Sequence, residues 1–299
     1  MKILDLKDLK NLKKNSVVTL GFFDGIHKAH EVILSSLVNI SKENNYNSVV
    51  ITFSDDILNL FKMSNNITSL NDKLEVFKNM DIDYVIVLKQ SDNFMSLTAK
   101  EFINQYLKPI NCKTIVCGSD FSFAKNKEGN INFIKENTDY NVILIDDIYD
   151  ENNNKISSTY IRKLLKEGNV SLANKYLYKN FKIDSKVISG KEIGRTIGFK
   201  TANLLINNQC YLLAHGVYFG TAIIDNKEYK AMINVGINPT VSDNNSLKVE
   251  VHILDFNDDI YQKNIKVIFD KFHREEIKFN SLDELKKQLI SDFEKLNDL

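Results

Sequence analysis

The segment Gly21-Phe22-Phe23-Asp24-Gly25-Ile26-His27-Lys28-Ala29-His30 decides the fold of the first half of the chain. It begins at the end of an apolar run, residues 17–23, that predicts a buried strand, and residues 31–43 after it have helical spacing. Glycines let a backbone approach a ligand closely, and a helix N-terminus favours phosphate. His27 and His30, three residues apart, share one face of the helix start and can donate hydrogen bonds to phosphate oxygens. The alternative is a capped structural turn or an incidental pair of surface histidines.

The rest of this half alternates short apolar runs with helical patterns. Strands are predicted at 49–53, 84–88, 114–117 and 141–146, and helices at 70–80 and 97–107. This βαβα order favours a parallel sheet covered on both faces, which binds ligands at the carboxyl ends of its strands. Two helices close the half: Ser157 and Ser158 can cap the first, which Gly168 ends, and Ser171 can cap the second, 172–177. Residues 54–69 are expected to form an excursion, that is, a mobile loop that extends over the first site.

After residue 181 the pattern becomes β-rich. Strands are predicted at 181–188, 216–224, 230–235, 249–256 and 265–272, without helices between them. Close antiparallel strands indicate a barrel or a sandwich. Residues 282–296 predict one amphipathic closing helix with Ser281 as its cap. The change of period places a domain boundary between residues 1–181 and 182–299.

Composition limits the function classes. The 299 residues carry 39 basic and 39 acidic side chains, so the net charge offers no general attraction to nucleic acid or an anionic membrane, and neither is expected as a partner. Apolar runs are strand-sized, too short for a signal peptide or a membrane span. Cys112, Cys117 and Cys210 form no CxxC pair, which predicts buried free thiols in a reducing cytoplasm.

Two further segments in the first half have polar groups at predicted element ends. Ile156-Ser157-Ser158-Thr159-Tyr160-Ile161-Arg162 is a second helix start, whose hydroxyls and arginine can hold ATP phosphates; the alternative is a plain N-cap. Gly118-Ser119-Asp120-Phe121-Ser122-Phe123 follows a predicted strand. It is either a ligand-contacting turn or a turn with two core phenylalanines.

The β-rich half opens with a glycine-rich segment, residues 190–203. A backbone cradle for phosphates can form there from Gly190, Gly194, Arg195 and Gly198. Thr201 and Asn203 offer neutral oxygens, which suit Mg²⁺ bound together with nucleotide phosphates.

Charged residues on and after two later strands are the remaining candidates. Strand alternation places Glu250 and His252 on one face. From the residues alone, Glu250 fits a solvated glutamate, and His252 fits a structural histidine. Arg274 belongs to 272–279, a segment that also fits a surface charge cluster.

Taken in order, these segments resemble motifs of the bacterial bifunctional riboflavin kinase/FMN adenylyltransferase (FAD synthetase) family. The first half is similar to GFFDGxHxGH, GxDFxFG and ISSTxIR, and the second to GxxxGRxxGFPTAN, EVHLLDF and LRxExKF. The resemblance implies an α/β fold: an N-terminal Rossmann-like nucleotidyltransferase domain with a parallel sheet, and a C-terminal antiparallel β-barrel riboflavin kinase domain with a closing helix.

The resemblance also implies the chemistry. Riboflavin is phosphorylated by ATP to FMN, and FMN is adenylylated by a second ATP to FAD with release of pyrophosphate. Glu250 is then the general base of the kinase, Thr201 and Asn203 bind Mg²⁺, and His27, His30 and Arg162 act in adenylyl transfer. The implied nucleotide-binding residues are Gly21, Phe22, Phe23, Asp24, Gly25, His27, His30, Ser157, Ser158, Thr159, Arg162, Gly190, Gly194, Arg195, Gly198, Thr201 and Asn203, and the implied flavin-binding residues are Asp120, Phe121 and Arg274.

Three positions depart from the family motifs. Ala29 replaces a glycine and is costly if the position needs positive φ, but harmless if it is helical. Ala124 replaces the glycine after Phe123 and should alter the adjacent turn. Lys200 replaces the proline before Thr201. The loss of proline makes the backbone there more flexible, and the lysine could instead contact a phosphate. These departures leave open a single-activity enzyme or a non-catalytic flavin or nucleotide sensor.

Overall fold

The computed structural model describes residues 1–57, 65–190, 198–237 and 247–297. It divides into two compact units, Met1–Tyr160 and Ile161–Leu299. The structural division falls inside a helix, whereas the predicted functional boundary at 181/182 stays a prediction. Within the described residues, no helix combines the length and the apolar character needed to cross a bilayer.

A six-stranded parallel sheet forms the centre of the first unit. Its strands are β1 (Lys2–Leu4), β2 (Ser16–Leu20), β3 (Asn47–Phe53), β4 (Tyr84–Leu88), β5 (Cys112–Gly118) and β8 (Asn141–Ile145). They lie in the order β1-β4-β3-β2-β5-β8, and every adjacent pair is parallel. The predicted parallel sheet is confirmed; β1 was not predicted, because three residues are too few to show a period.

The strand order reverses between β2 and β5. From β2 the chain adds β3 and β4 on one side, and then returns to add β5 and β8 on the other. The carboxyl ends of β2 and β5 therefore flank a topological switch point, the place where open parallel sheets bind ligands. The segment 21–30 begins directly after β2, and Ser119-Asp120 directly after β5.

In the described part of the first unit, four helices and a small hairpin accompany the sheet: α1 (Lys28–Asn44), α2 (Leu70–Asn79), α3 (Ala99–Phe102), α4 (Ile131–Asn137), β6 (Ser122–Phe123) and β7 (Gly129–Asn130). The predicted helix over 97–107 is present as a continuous helical segment over residues 99–107, but only α3 is α-helical. Ile103–Leu107 is π-helical, and a 3₁₀ turn, Lys108–Ile110, follows. Pro109 lies inside this turn, and the helical path ends at Asn111, which adopts a left-handed conformation with φ 52°. Other 3₁₀ turns are Leu6–Asn11, Gln90–Asp92, Phe94–Ser96 and Lys125–Lys127.

Helices α5 (Ser158–Lys166) and α6 (Val170–Tyr176) follow. Gly168 ends α5 with φ +77°, as expected for a glycine stop. Ser171 is not the cap of α6, because the helix begins at Val170 and its N-cap position is Asn169. The Ser171 hydroxyl instead donates to the Asp270 carbonyl at 2.7 Å. Asn174 Nδ2 donates to the Phe269 carbonyl at 2.8 Å, so α6 is fastened to the strand that contains Phe269.

The second unit contains a closed antiparallel barrel, which confirms the β-barrel that the family resemblance implies and excludes the sandwich that the strand pattern left open. Its strands are β9 (Lys182–Ile188), β10 (Ala202–Leu204), β11 (Gly216–Ile224), β12 (Lys227–Ile237), β13 (Leu247–Ile253) and β14 (Asn264–Arg274), closed in the order β10-β13-β12-β11-β14-β9. A 3₁₀ turn, Asn208–Leu212, precedes β11. Along β13 buried and half-buried residues alternate, so that one face enters the barrel core.

The predicted closing helix is α7 (Leu282–Asn297). Ser281 caps it, since its hydroxyl accepts the Glu284 N–H at 3.2 Å. Its apolar residues Leu289, Phe293 and Leu296 pack on the outer surface of the barrel, against Val217, Phe219, Met232 and Leu254. One outer face of the barrel is thus covered by a helix.

Candidate active sites

The first candidate site lies at the start of α1, beside the switch point. His27 is the N-cap residue of α1, and its ring stacks on that of His30 at a centroid distance of 3.7 Å and 20° between planes. Both Nδ1 atoms are buried, and neither has a hydrogen-bond partner within the described part of the chain. Buried polar atoms are normally satisfied. Two adjacent unsatisfied imidazole nitrogens therefore indicate a place for a hydrogen-bonding ligand.

Burial keeps both imidazoles neutral. Desolvation lowers the pKa of His27 to about 4; the charge of Asp120 opposes this shift, and the charge of Lys155 adds to it. The pKa of His30 is also far below its usual value, mainly because of burial and then because of the charges of His27 and Lys73. Neutral imidazoles can still donate one N–H each to a phosphate oxygen.

Asp24 organises the turn around the histidines. It is 3% exposed, and its Oδ1 accepts the backbone N–H groups of Ile67 at 2.8 Å and Thr68 at 3.1 Å. Its carbonyl accepts the Ser158 hydroxyl at 2.7 Å. The turn is therefore joined both to the start of α5 and to the described end of the predicted excursion. Residues 58–64 of that excursion lie outside the described residues.

The second helix start lies next to the first. The Ser157 hydroxyl accepts the Tyr160 N–H at 3.3 Å, so Ser157 is an N-cap as well as a nucleotide-binding candidate. Thr159 is exposed at the same end of α5, and Arg162 is half-buried one turn further along. Gly21, Phe22, Phe23 and Gly25 form the turn after β2.

Charged groups that the sequence analysis missed lie beside the turn after β5, where Ser119 contacts both of them. Lys155 forms an ion pair with Asp147 at 2.8 Å, and Ser119 donates to the same carboxylate at 2.8 Å. Asp120 is exposed and Phe121 is half-buried against the core of the first unit. The position of Lys155, directly before the segment 156–162, was the available signal.

The second candidate site is a cavity of about 530 Å³ at one end of the barrel. The candidates Gly190, Thr201 and Asn203 line it, together with Lys200, Phe256 and Tyr261. Gly198 adopts φ +89° beside it, a conformation that favours glycine. Gly194 and Arg195 of the predicted phosphate cradle lie outside the described residues.

Asn203 and Glu250 are brought together by strand pairing. Asn203 on β10 lies opposite Glu250 on β13, and Glu250 lies opposite Asn234 on β12. Directly opposed residues project from the same face, so the three side chains form one row. The Glu250 carboxylate forms an ion pair with Lys248 at 2.8 Å. The sequence analysis missed both residues: Asn234 becomes a neighbour of Glu250 only through the pairing register, whereas Lys248 lies two residues before Glu250 on the same strand and could have been found from strand alternation.

A glycine makes room for the Asn203 side chain. A Cβ on Gly190 would lie 2.0 Å from Asn203 Nδ2, so any other residue would displace the amide. Asn203 itself is 7% exposed. Thr201 and Asn203 both line the cavity, and their neutral oxygens are donors that Mg²⁺ accepts together with phosphate oxygens.

Lys200 is held by contacts that compensate for the missing proline. The Nδ1–H of His252 donates to the Lys200 carbonyl at 2.7 Å, and the Lys200 ammonium donates to Asn257 Oδ1 at 3.4 Å. The ring of His252 also lies 5.1 Å from that of Phe199. These contacts give His252 a structural partner and anchor the backbone before Thr201.

Arg274 forms a buried ion pair rather than a surface cluster. Its Nη2 lies 2.7 Å from Asp292 Oδ2, and the Asp292 side chain is 0% exposed. His273 Nε2 and Gln288 Nε2 donate to Asp292 Oδ1 at 2.9 and 2.8 Å. This network fastens α7 to β14. The Glu250 row continues through Val217 to Arg274, so both candidates lie on the same barrel face.

The two alanine departures differ in cost. Ala29 lies inside helix α1, so the replacement of glycine is harmless there. Ala124 adopts φ +65° and ψ −178°, a region that glycine occupies almost alone. The turn at Ala124 therefore has a strained backbone.

The first unit has a helix start with two unsatisfied imidazole nitrogens at the switch point of its parallel sheet, and the second has a barrel with neutral oxygen donors. This combination is typical of a transferase with two modules that each bind phosphate groups. Residues 9–160 match the FAD synthetase family model, and residues 177–299 match the riboflavin kinase family model. The chain belongs to the bifunctional riboflavin kinase/FMN adenylyltransferase family. This confirms the predicted pair of reactions, which convert riboflavin to FMN and FMN to FAD.

Individual relatives are similar in sequence over nearly the whole chain. The bifunctional riboflavin kinase/FMN adenylyltransferase of Buchnera aphidicola subsp. Acyrthosiphon pisum is 37% identical, over 98% of this chain and 96% of its own. That of Bacillus subtilis is 33% identical, over 95% of this chain and 92% of its own. A crystal structure described as a macrolide-efflux protein from Streptococcus pneumoniae superposes with a TM-score of 0.89 at 34% identity and covers 100% of both chains.

Proposed function

We propose that adenylyl transfer takes place at the start of α1. A phosphate oxygen of FMN attacks the α-phosphorus of ATP, the new P–O bond forms, and the bond to the bridging oxygen breaks to release pyrophosphate. The stacked His27–His30 pair with its unpartnered Nδ1 atoms carries this assignment. Phosphate is already a nucleophile, so His27, His30 and Arg162 position groups and stabilise charge. The nucleotide binds along the turn after β2 and the start of α5.

Riboflavin phosphorylation belongs to the barrel. Glu250 takes the proton of the riboflavin 5′-hydroxyl, whose oxygen attacks the γ-phosphorus of ATP, and ADP leaves. The pairing of Asn203 with Glu250 supports this assignment, because it places a metal-type oxygen donor beside the base. Gly190, Gly194, Arg195 and Gly198 hold the nucleotide phosphates.

Thr201 and Asn203 would hold Mg²⁺. Mg²⁺ keeps few protein ligands and completes its shell with phosphate oxygens and water, so two neutral oxygens suffice. Bound with ATP, the ion neutralises charge on the phosphates. The protein's part is to fix these two oxygens, and Gly190 does so by leaving space for the Asn203 amide.

The remaining assignments follow the domain division. Residues 1–181 form the adenylyltransferase domain and 182–299 the kinase domain. Asp120 and Phe121 contact the flavin in the first, and Arg274 borders the flavin site in the second. A cytoplasmic location is supported by three buried free thiols, and burial raises the pKa of Cys117 to about 11, which makes it unreactive.

A product assay tests both sites at once. The purified chain is incubated with MgATP and either riboflavin or FMN, and riboflavin, FMN and FAD are separated by chromatography. FAD from both starting compounds is the expected result. Formation of FAD from FMN but not from riboflavin would indicate that riboflavin kinase activity has been lost, and Lys200 would be the first residue to examine. Formation of FMN without FAD would indicate that the first site is inactive, with Ala124 as the first residue to examine. No product from either compound would favour a flavin or nucleotide sensor.

A further inference from the structure

Lys73 is a buried charge that no step above uses. It lies in α2 and is 3% exposed. Lysine is almost never buried to this extent unless its ammonium is compensated, because removing a charge from water is costly. A residue kept at that cost needs a specific explanation.

The ammonium of Lys73 joins the ends of two strands beside the first site. Its Nζ donates to the Phe22 carbonyl at 3.3 Å and to the Phe53 carbonyl at 3.3 Å. Phe22 belongs to the turn that leads to the histidines, and Phe53 ends β3. Thr52 donates to the same Phe22 carbonyl at 3.4 Å, but without a charge. Lys73 therefore holds the turn after β2 to the end of β3 through these two hydrogen bonds.

The charge of Lys73 is opposed by burial and supported by two carboxylates. Burial lowers the pKa of Lys73, and the charges of Asp55 and Asp24 act in the opposite direction, while both carboxylates also accept hydrogen bonds from neutral donors. Asp24 accepts two backbone N–H groups, and Asp55 accepts Asn66 Nδ2 at 3.2 Å and the Leu70 N–H at 3.1 Å. The positive charge also reaches His30, since it contributes, after burial and His27, to the low pKa of that imidazole.

We propose that Lys73 is a positioning residue of adenylyl transfer: its buried ammonium holds the turn after β2 and directs positive charge towards the pyrophosphate that leaves. The proposal rests on the placement of adenylyl transfer at the start of α1. A charge fixed in a dry environment stabilises developing negative charge without reorganisation. Because Lys73 acts through the turn, it should matter more in the transition state than in FMN binding.

The test uses the full chain with Lys73→Met and Lys73→Gln. The glutamine retains an N–H donor but lacks the charge. Lys78→Met, on the exposed side of the same helix, is the matched control. Steady-state FAD formation from FMN gives kcat and KM separately, and inhibition by inorganic pyrophosphate measures anion binding. Riboflavin phosphorylation by the same chain reports whether it is intact, and His30→Ala reports on the placement of the site.

Both Lys73 variants should lose kcat by about tenfold or more, with KM for FMN changed less, and pyrophosphate should inhibit them at about tenfold higher concentration. Lys78→Met should keep the original values. If Lys73→Gln keeps kcat and pyrophosphate inhibition while His30→Ala loses activity, the proposal for Lys73 is wrong and the site stands. If FAD formation is unchanged in both Lys73→Gln and His30→Ala, adenylyl transfer does not take place at the start of α1. Failure of both Lys73 variants to fold the first unit would assign Lys73 a purely structural role and overturn the proposal.

Discussion

Asn203 and Glu250 lie directly opposite each other across β10 and β13. They are 47 positions apart in the chain, yet the barrel closure makes them neighbours on one face. The pairing puts the metal-ligand candidate of the glycine-rich segment beside the candidate base. It also adds Asn234 from β12 to the same row. Strand register therefore brings together the residues of the proposed phosphorylation site.

Glu250→Ala should reduce FMN formation by about 10²–10⁴-fold, the usual contribution of a general base. FAD formation from supplied FMN should continue, because the first unit has its own site. Rates of both reactions on the same preparation provide the measurement, and Glu228→Ala on the exposed part of β12 is a suitable control. Loss of both activities in a folded Glu250 variant would contradict the two-site assignment.

His30→Ala should have the reverse effect. The stacked imidazole pair loses one member, so FAD formation should fall while riboflavin is still phosphorylated to FMN. Chromatography of a reaction started from riboflavin should show FMN accumulating. A normal rate of FAD formation by this variant would show that adenylyl transfer occurs elsewhere.

The first unit should lose stability in acid. Burial lowers the pKa of His27 from 6.5 to about 4, so the unfolded chain binds a proton more readily than the folded one. The stabilisation is complete above pH 6.5 and is lost as the pH falls towards 4; His27 alone accounts for about 2 kcal/mol between pH 7 and 5. Urea unfolding at pH 7, 6 and 5 measures it, and His27→Gln should flatten the dependence. An unchanged slope in that variant would argue against a neutral buried His27.

Ala124→Gly should stabilise the first unit by about 1 kcal/mol, because relief of the strained φ exceeds the added entropy of the unfolded chain. The expected rise in the thermal midpoint is about 2–4 °C. Ala29→Gly is the matched control and should have the opposite sign, since Ala29 is helical and glycine costs up to about 1 kcal/mol there. A lower midpoint for Ala124→Gly would mean that alanine is not strained at this turn.

Asp292→Asn should destabilise the second unit by about 3–5 kcal/mol, because it leaves the Arg274 guanidinium without its buried counter-charge. The double variant Asp292→Leu/Arg274→Met should recover much of the loss, since it removes both charges. Denaturant unfolding followed by riboflavin kinase activity measures the effect. Equal stability of Asp292→Asn and the original chain would show that the network does not hold α7.

The sequence alone determined the two modules, the parallel sheet, the closing helix and the order of the chemical segments. These features depend on short-range patterns: the period of apolar residues, glycines and caps at element ends, and contiguous motifs such as residues 21–30 and 190–203. Each pattern is complete within about a dozen neighbouring residues, so it is visible without the fold.

Only the tertiary structure decided which distant residues meet. The row of Asn203, Glu250 and Asn234 depends on strand register, and the ion pair of Arg274 with Asp292 depends on helix docking. The burial of Lys73 was equally hidden, since a lysine in an amphipathic helix predicts an exposed side chain. Such contacts are set by the free energy of packing the whole core, which no local pattern in the chain records.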